Sequence, residues 1–394
     1  MITRFYVDNF KGLRDFTMRF SGRLSVIAGP NGAGKTSICQ ALDVLFRLVH
    51  ERPAEVMGGL DVGLIRNKWT SSSKVTMELD VCVPLEDGQR AELTWHVAFG
   101  KKKGWGIAAE RVVRHGATIP GSLIGEVLRR KWRQIEVFNR KTGEWERETK
   151  ELPSYLSTVT EETREAYPEL YALQQHLVFR YVPSLNPVFL RRRTREPGLG
   201  SQGENFASYL HAFAQSDRPA FDRVIGQMRR FFPTLQALRP SRSKFGWTEV
   251  QVVHRFPSSD ENVVFKADQV NDGLLRLAAI ATLPYSKEGL KVVAIEEPEN
   301  GMHPRLLEQT VELLRSFDGL GVQTIVTTHS PVLLNFVRPE ETIVLRNRGP
   351  QGPEAKRFAD LPPGMKRLAY FDIGDVLYEV GEDRLLAGRG GGRS

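Results

Sequence analysis

The sequence predicts an α/β protein with a mixed sheet core, an antiparallel β subdomain and a helical insertion. Three observations predict it. A short apolar run, Leu24–Ala28, ends in a glycine-rich turn, after which Ile38, Leu42, Leu45, Phe46 and Val49 fall on one helical face. Two more apolar runs, at 292–295 and 323–328, flank a helical segment at 304–317. Residues 75–83 and 91–99 alternate apolar and polar across Glu86-Asp87-Gly88-Gln89, which reads as a hairpin.

The elements follow in order. Residues 2–8 and 16–20 alternate and read as strands of a small sheet leading into the glycine-rich turn. Residues 107–114 add a third antiparallel strand after the hairpin. From 120 to 180 the pattern turns helical and strongly charged, with 161–179 the clearest helix. The segment 191–204 (RRRTREPGLGSQGE) has loop composition and marks a lobe boundary. Amphipathic helices at 205–215 and 218–232 come next, then strands at 247–256 and 262–266 and a helix from 274. The glycine-rich end, 388–394, reads as disordered. This divides the chain into an N-terminal lobe at 1–119, a basic and mainly helical insertion at 120–204, a second lobe at 205–346 and a tail at 347–394.

Composition excludes several classes. The 394 residues are 41% apolar and 26% charged, ordinary for a globular protein. No run is apolar enough for a membrane span, and the N-terminus lacks a secretory apolar block. Cys39 and Cys82 are too few for a disulfide framework or a zinc cluster, so a cytoplasmic location is expected. The net charge of +8 is uneven: residues 100–200 hold 19 Lys and Arg against 12 Asp and Glu. Trp105, Trp132 and Trp145 interleave with the clusters at 101–103, 129–133 and 191–195. This stretch reads equally as a solvated basic face or a DNA or RNA groove.

Four motifs carry chemistry. Gly29-Pro30-Asn31-Gly32-Ala33-Gly34-Lys35-Thr36, followed by Ser37, fits the phosphate-binding pattern G-x-x-x-x-G-K-[ST] in its proper strand–turn–helix context. Backbone N–H groups and a helix N-terminus meet phosphate oxygens there. Lys35 reaches the β and γ phosphates, and the Thr36 hydroxyl is placed to ligate Mg²⁺. At 292–299, an apolar strand ends in Glu296-Glu297-Pro298-Glu299. Its first carboxylate suits Mg²⁺, and its second can orient or deprotonate an attacking water. A later strand ends in Thr327-Thr328-His329, where the imidazole can bond the γ-phosphate or that water. Asn271-Asp272-Gly273 opens a helix that also bears Arg276: Asn or Asp caps it, and glycine admits an anion close to the backbone.

With these motifs in this order, the chain resembles the RecF/OLD-like branch of ABC-type AAA ATPases, which includes SMC-type heads. Asn9-Phe10-Lys11-Gly12-Leu13, Pro298-Glu299 and His303-Pro304 add to the match, which covers 1–85 and 205–346. The resemblance implies an ABC-type P-loop NTPase head that binds ATP and Mg²⁺ and hydrolyses ATP. It implies a homodimer, or a higher even oligomer, sandwiching ATP between one subunit's phosphate loop and the other's Asn271, Asp272 and Gly273. Glu297 would be the catalytic base with His329 and Lys35 assisting, Glu296 and Thr36 the metal ligands, and Lys11 a neighbour of the phosphates or base. Glu296 stands where Asp is commoner, and Asn271-Asp272-Gly273 lacks the usual leading Ser and second Gly. Gln174 and Gln175 are candidates for the family's remaining glutamine by position alone.

OLD-like nucleases add a TOPRIM domain. After His329 only 65 residues follow, without a D-x-D cluster, so no nuclease is expected in this chain. The region 359–386, mixed apolar and acidic, reads as a partner-docking segment or a helix on its own core. The resemblance points to an ATP-dependent switch subunit acting with a separately encoded nuclease or toxin in bacterial antiphage defence. Its alternative is a RecF-like DNA-repair clamp. A transporter's nucleotide-binding subunit fits less well.

Overall fold

A computed structural model describes residues 1–57, 66–70, 72–86, 88–101, 105–122, 124–257 and 261–361, with Leu377 and Leu386. The chain folds as two compact units, one of 1–179, 339–367 and 380–394, the other of 180–338 and 368–379.

In the first unit, β1 (Ile2–Asp8) and β2 (Phe16–Arg19) form an antiparallel pair, and β3 (Leu24–Ala28) runs into α1 (Lys35–Arg47). Every residue of β3 is buried, which explains its unbroken apolarity. The hairpin of β4 (Lys74–Pro84) and β5 (Arg90–Lys101) is as expected: β4 alternates buried and less buried residues along its length. Then β6 (Trp105–Arg114), β7 (Glu126–Lys131), β8 (Gln134–Asn139) and β9 (Glu144–Thr149) complete an eight-stranded sheet in the order β2-β1-β4-β5-β6-β7-β8-β9.

The helical insertion expected at 120–204 is thus corrected over its first third, where three strands stand. Glu, Lys and Arg favour helices by propensity, but here their charges meet across strands. Arg129 faces Glu136, and Glu136 faces Arg147, as register partners that also form ion pairs. Ile135 and Val137 alternate with them into the core. The expected helix 161–179 is likewise shorter: α2 (Pro168–His176) starts on Pro168, whose fixed φ and missing N–H suit a first turn. Its buried Glu169 is clamped by Arg114 and Arg140.

The second unit opens with β10 (Phe179–Val182), a short helical turn at Pro187–Leu190, then α3 (Phe206–Ser216) and α4 (Arg218–Phe231). A three-stranded antiparallel sheet follows: β11 (Leu235–Arg242), β12 (Thr248–Arg255) and β13 (Asn262–Lys266). The first of these escapes sequence reading because Pro240 and three basic or hydroxyl residues hide its period. After α5 (Asp272–Thr282) come β14 (Val292–Glu296), α6 (Leu307–Ser316) and β15 (Gln323–Thr328). β14 and β15 are parallel, with Glu296 opposite Thr327.

The chain returns to the first unit as β16 (Thr342–Asn347), parallel to β3, and β17 (Pro353–Arg357), antiparallel to β16, so this sheet is mixed. β16 presses on the start of the phosphate loop: a Cβ on Gly29 would lie 2.5 Å from the Leu345 carbonyl oxygen. Gly29→Ala is expected to cost about 1–3 kcal/mol of unfolding free energy, the usual penalty for overpacking. Urea denaturation reads it, and an unchanged midpoint would show that β16 leaves room there. Of the tail, 362–376, 378–385 and 387–394 lie outside the described residues, and with them most of the expected docking segment and the expected disordered end.

Candidate active site

The strand–turn–helix of the phosphate loop forms as its residues dictate. Ala33 N–H donates to the Pro30 carbonyl (3.2 Å), and Gly34 takes φ 105°, a conformation that only glycine adopts cheaply, to launch α1. No acidic residue occupies the first turn of α1, so no carboxylate of that turn offsets its positive dipole end. Pro30, Asn31, Gly32 and Thr36 are exposed, Ser37 is half-buried and Ala33 is buried. Asn347 anchors the turn by donating to the Gly32 carbonyl (3.0 Å). Lys35 is the exception on this open face. It is 7% exposed, and its ammonium donates to the carbonyls of Gly29 (2.6 Å) and Pro30 (3.1 Å).

Lys11 sits in a tight turn closed by reciprocal backbone bonds between Phe10 and Leu13, with φ 51°. Fully buried Asn9 pins the turn through its amide, which donates to the carbonyls of Ser72 and Lys74. Lys11 donates to Gln40, one turn into α1, so the structure brings it to the helix that follows the phosphate loop.

In the second unit, β14 and β15 end side by side and bring the carboxylates to the histidine. Glu297 N–H donates to the Thr327 carbonyl (2.8 Å), and Glu297 adopts φ 44°, unusual for a side-chain-bearing residue and more so before proline. Its carboxylate meets His329 Nδ1 at 2.9 Å and accepts from Asn300 Nδ2 at 2.7 Å. Glu296 points elsewhere and accepts from the Tyr181 hydroxyl (2.5 Å). Glu299 is 8% exposed. Its Oε1 accepts from Thr328, its Oε2 is buried without a partner, and burial raises its pKa above the usual carboxylate range. Tyr181 and Asn300 carry no mark in the sequence reading, where Glu299 enters only as part of the Pro298-Glu299 match. Asn300 had a local signal, three residues past Glu297 in a turn, whereas Tyr181 had none.

The helix α5 begins as expected. Asn271 Oδ1 accepts from Leu274 N–H (2.8 Å), and Asp272 pairs with Arg191. Gly273 is buried, and a Cβ there would lie 2.8 Å from Leu306 Cδ1, so close packing within the chain also calls for glycine at this position. Arg276 donates through Nε to the Leu185 carbonyl (2.9 Å), a structural use. Gln174 is similarly spent on the carbonyls of Leu156 and Val159.

The basic stretch divides in two. Arg130 is buried, held by Glu110 and the carbonyls of Trp132, Pro153 and Leu152. Arg129, Arg133 and Arg147 all have carboxylate partners, and Trp145 is covered by Arg129 and bonded to the Pro120 carbonyl. The charges of this sheet are therefore largely compensated. At 192–195 only Arg193 has a carboxylate partner among the described residues.

Magnesium favours hard oxygen donors and keeps phosphate oxygens in its shell, and the Thr36 hydroxyl and Glu296 carboxylate fit that preference. Among the described residues, no cluster of three or more His, Cys, Asp or Glu is placed to hold a metal without phosphates. No helix among them is long and apolar enough to cross a membrane.

Two family models match the chain. Residues 1–88 match the AAA ATPase domain, and residues 155–335 match the AAA domain described as putative AbiEii toxin, Type IV TA system. No curated protein matches it. Among solved structures, it is similar to the SMC head domain from Thermotoga maritima, at 12% identity over 90% of this chain and 98% of that one, with a TM-score of 0.45. An SmcHead bound to the C-winged helix domain of ScpA matches at 12% identity, over 90% and 96%, with a TM-score of 0.49. The Smc head domain with an extended coiled coil, bound to the C-terminal domain of ScpA derived from Pyrococcus furiosus, matches at 10%, over 94% and 98%, with a TM-score of 0.46.

Proposed function

We propose that this chain is an ATPase of the SMC/ABC type that works as a switch, dimerising head-to-tail around ATP and parting on hydrolysis; the AAA models matched over 1–88 and 155–335 support the ATPase part of this reading. The observation that carries the reading is the Glu297–His329 pair at the ends of two parallel strands, with Asn300 bracing the carboxylate. A carboxylate so held is a general base of fixed orientation. In this reading the N–H groups of 32–37 and Lys35 bind the phosphates, and Thr36 and Glu296 hold Mg²⁺, which neutralises charge on the transferring phosphoryl group. Asn271, Asp272 and Gly273 serve the nucleotide of the second copy.

The AbiEii description of the model over 155–335 favours defence over repair, with a separately encoded toxin or nuclease as the effector. Light scattering tests the switch: a dimer is expected with Mg²⁺ and a non-hydrolysable ATP analogue, and a monomer with ADP. A monomer in both states overturns it.

A further inference from the structure

We propose that the β11–β12 hairpin tip and the adjoining 189–195 loop form a docking surface for single-stranded nucleic acid. The inference takes up the DNA or RNA reading of the basic stretch, goes beyond the function above and does not depend on hydrolysis. It rests on one cluster in the second unit. The tip, 243–247, is closed by Ser243 N–H to the Trp247 carbonyl (2.7 Å) and Gly246 N–H to the Ser243 carbonyl (3.0 Å). That closure holds Phe245 outward, 84% exposed, with Trp247 42% exposed beside it. Two exposed aromatic rings at one tip, unlike single scattered apolar side chains, form a patch that calls for a use.

The 189–195 loop is sewn to the same hairpin. Thr194 and Thr248 exchange backbone bonds at 3.0 and 2.8 Å, and the buried Thr194 hydroxyl bonds Ser208 Oγ at 2.8 Å. This rigid seam lays Arg195 over the Trp247 ring at 4.2 Å and Arg192 over Phe189 at 4.7 Å. Arg193 has Glu249 as its partner, whereas Arg192, Arg195, Arg242 and Lys244 pair with no carboxylate among the described residues.

Unpaired cations beside ring faces match the two parts of an unpaired strand. Phosphates meet the cations, and bases stack on rings and on guanidinium planes. A duplex would offer its phosphates but hide its base faces, leaving Phe245 without a role. An acidic protein segment would likewise use the cations and not the rings. The Trp-bearing sheet of the first unit, although as rich in arginine, is already neutralised by its own glutamates.

Fluorescence anisotropy with a labelled oligo-dT, on the full chain, tests the proposal. Four phosphate contacts predict a log–log salt slope of about −3. Phe245→Ala, at an exposed position that folding does not need, is expected to weaken binding about tenfold, as expected for one stacked base. Lys244→Ala should weaken binding and flatten the slope, while Arg147→Ala in the neutralised sheet changes neither. All three should keep wild-type ATP affinity, which separates failure here from failure of the switch. Tighter binding of duplex than of oligo-dT, capture of poly-glutamate in its place, or equal affinity of Phe245→Ala and wild type overturns the proposal.

Discussion

Lys35→Ala is expected to abolish ATP binding, raising Kd by roughly two to three orders of magnitude while leaving the fold intact. The ammonium is buried on the loop's own carbonyls at Gly29 and Pro30, so it is both the clasp of the turn and the only side-chain cation within 29–36. Two charge-assisted bonds to phosphate oxygens contribute about 1.5–3 kcal/mol each, and alanine makes neither. The cost to folding is smaller. Alanine is the best helix former and α1 begins at this residue. Of the two carbonyls released, that of Pro30 lies on an exposed residue where water satisfies it, while that of Gly29 is buried and losing its donor costs about 1–3 kcal/mol. Calorimetric titration with ATP alongside a thermal melt separates the two effects. Wild-type affinity in the variant would mean that the glycine-rich turn is only a turn.

Much of this centre was legible because each part is local. Strand, turn and helix around 24–47 follow one another in the chain, and 292–297 and 323–329 each announce a buried strand that ends in a polar group. What was not legible depends on partners far away in sequence. Nothing near Glu296 indicates that Tyr181 will bond it, and nothing near Lys11 indicates Gln40. The same blindness led the basic stretch astray. Counting charges places Arg129, Arg130 and Arg195 in one class, but burial and cross-strand carboxylates consume the first two. The strands β7 to β9 were missed for a related reason: alternation among Glu, Arg, Trp and Val is visible only once it is known which charges pair across the sheet. Propensity for helix then wins on paper and loses to packing in the fold.

Glu297→Gln separates binding from chemistry: it should bind ATP as tightly as the wild type, slow phosphate release by about 10²–10⁴-fold, and accumulate the dimer. The geometry explains why the substitution is so selective. Glu297 holds a left-handed backbone before Pro298, a conformation costing of order 1–3 kcal/mol that is retained where a side chain must be aimed. Glutamine keeps that aim. Asn300 Nδ2 demands an acceptor, so the amide oxygen takes the place of Oε2 and the new NH₂ turns to His329. His329 must then accept through Nδ1, which puts its proton on Nε2. The ring stays in place, with the pair's bond reversed, and what disappears is the lone pair that would take a proton from water. Removing one negative charge beside a triphosphate cannot weaken its binding, so the stalled dimer should outlast the wild-type one. His329→Ala supplies the check: if Glu297 acts through this pair, adding it to Glu297→Gln should slow turnover by much less than it does alone. Phosphate release by Glu297→Gln at the wild-type rate would remove Glu297 from the chemistry, whatever the dimer does.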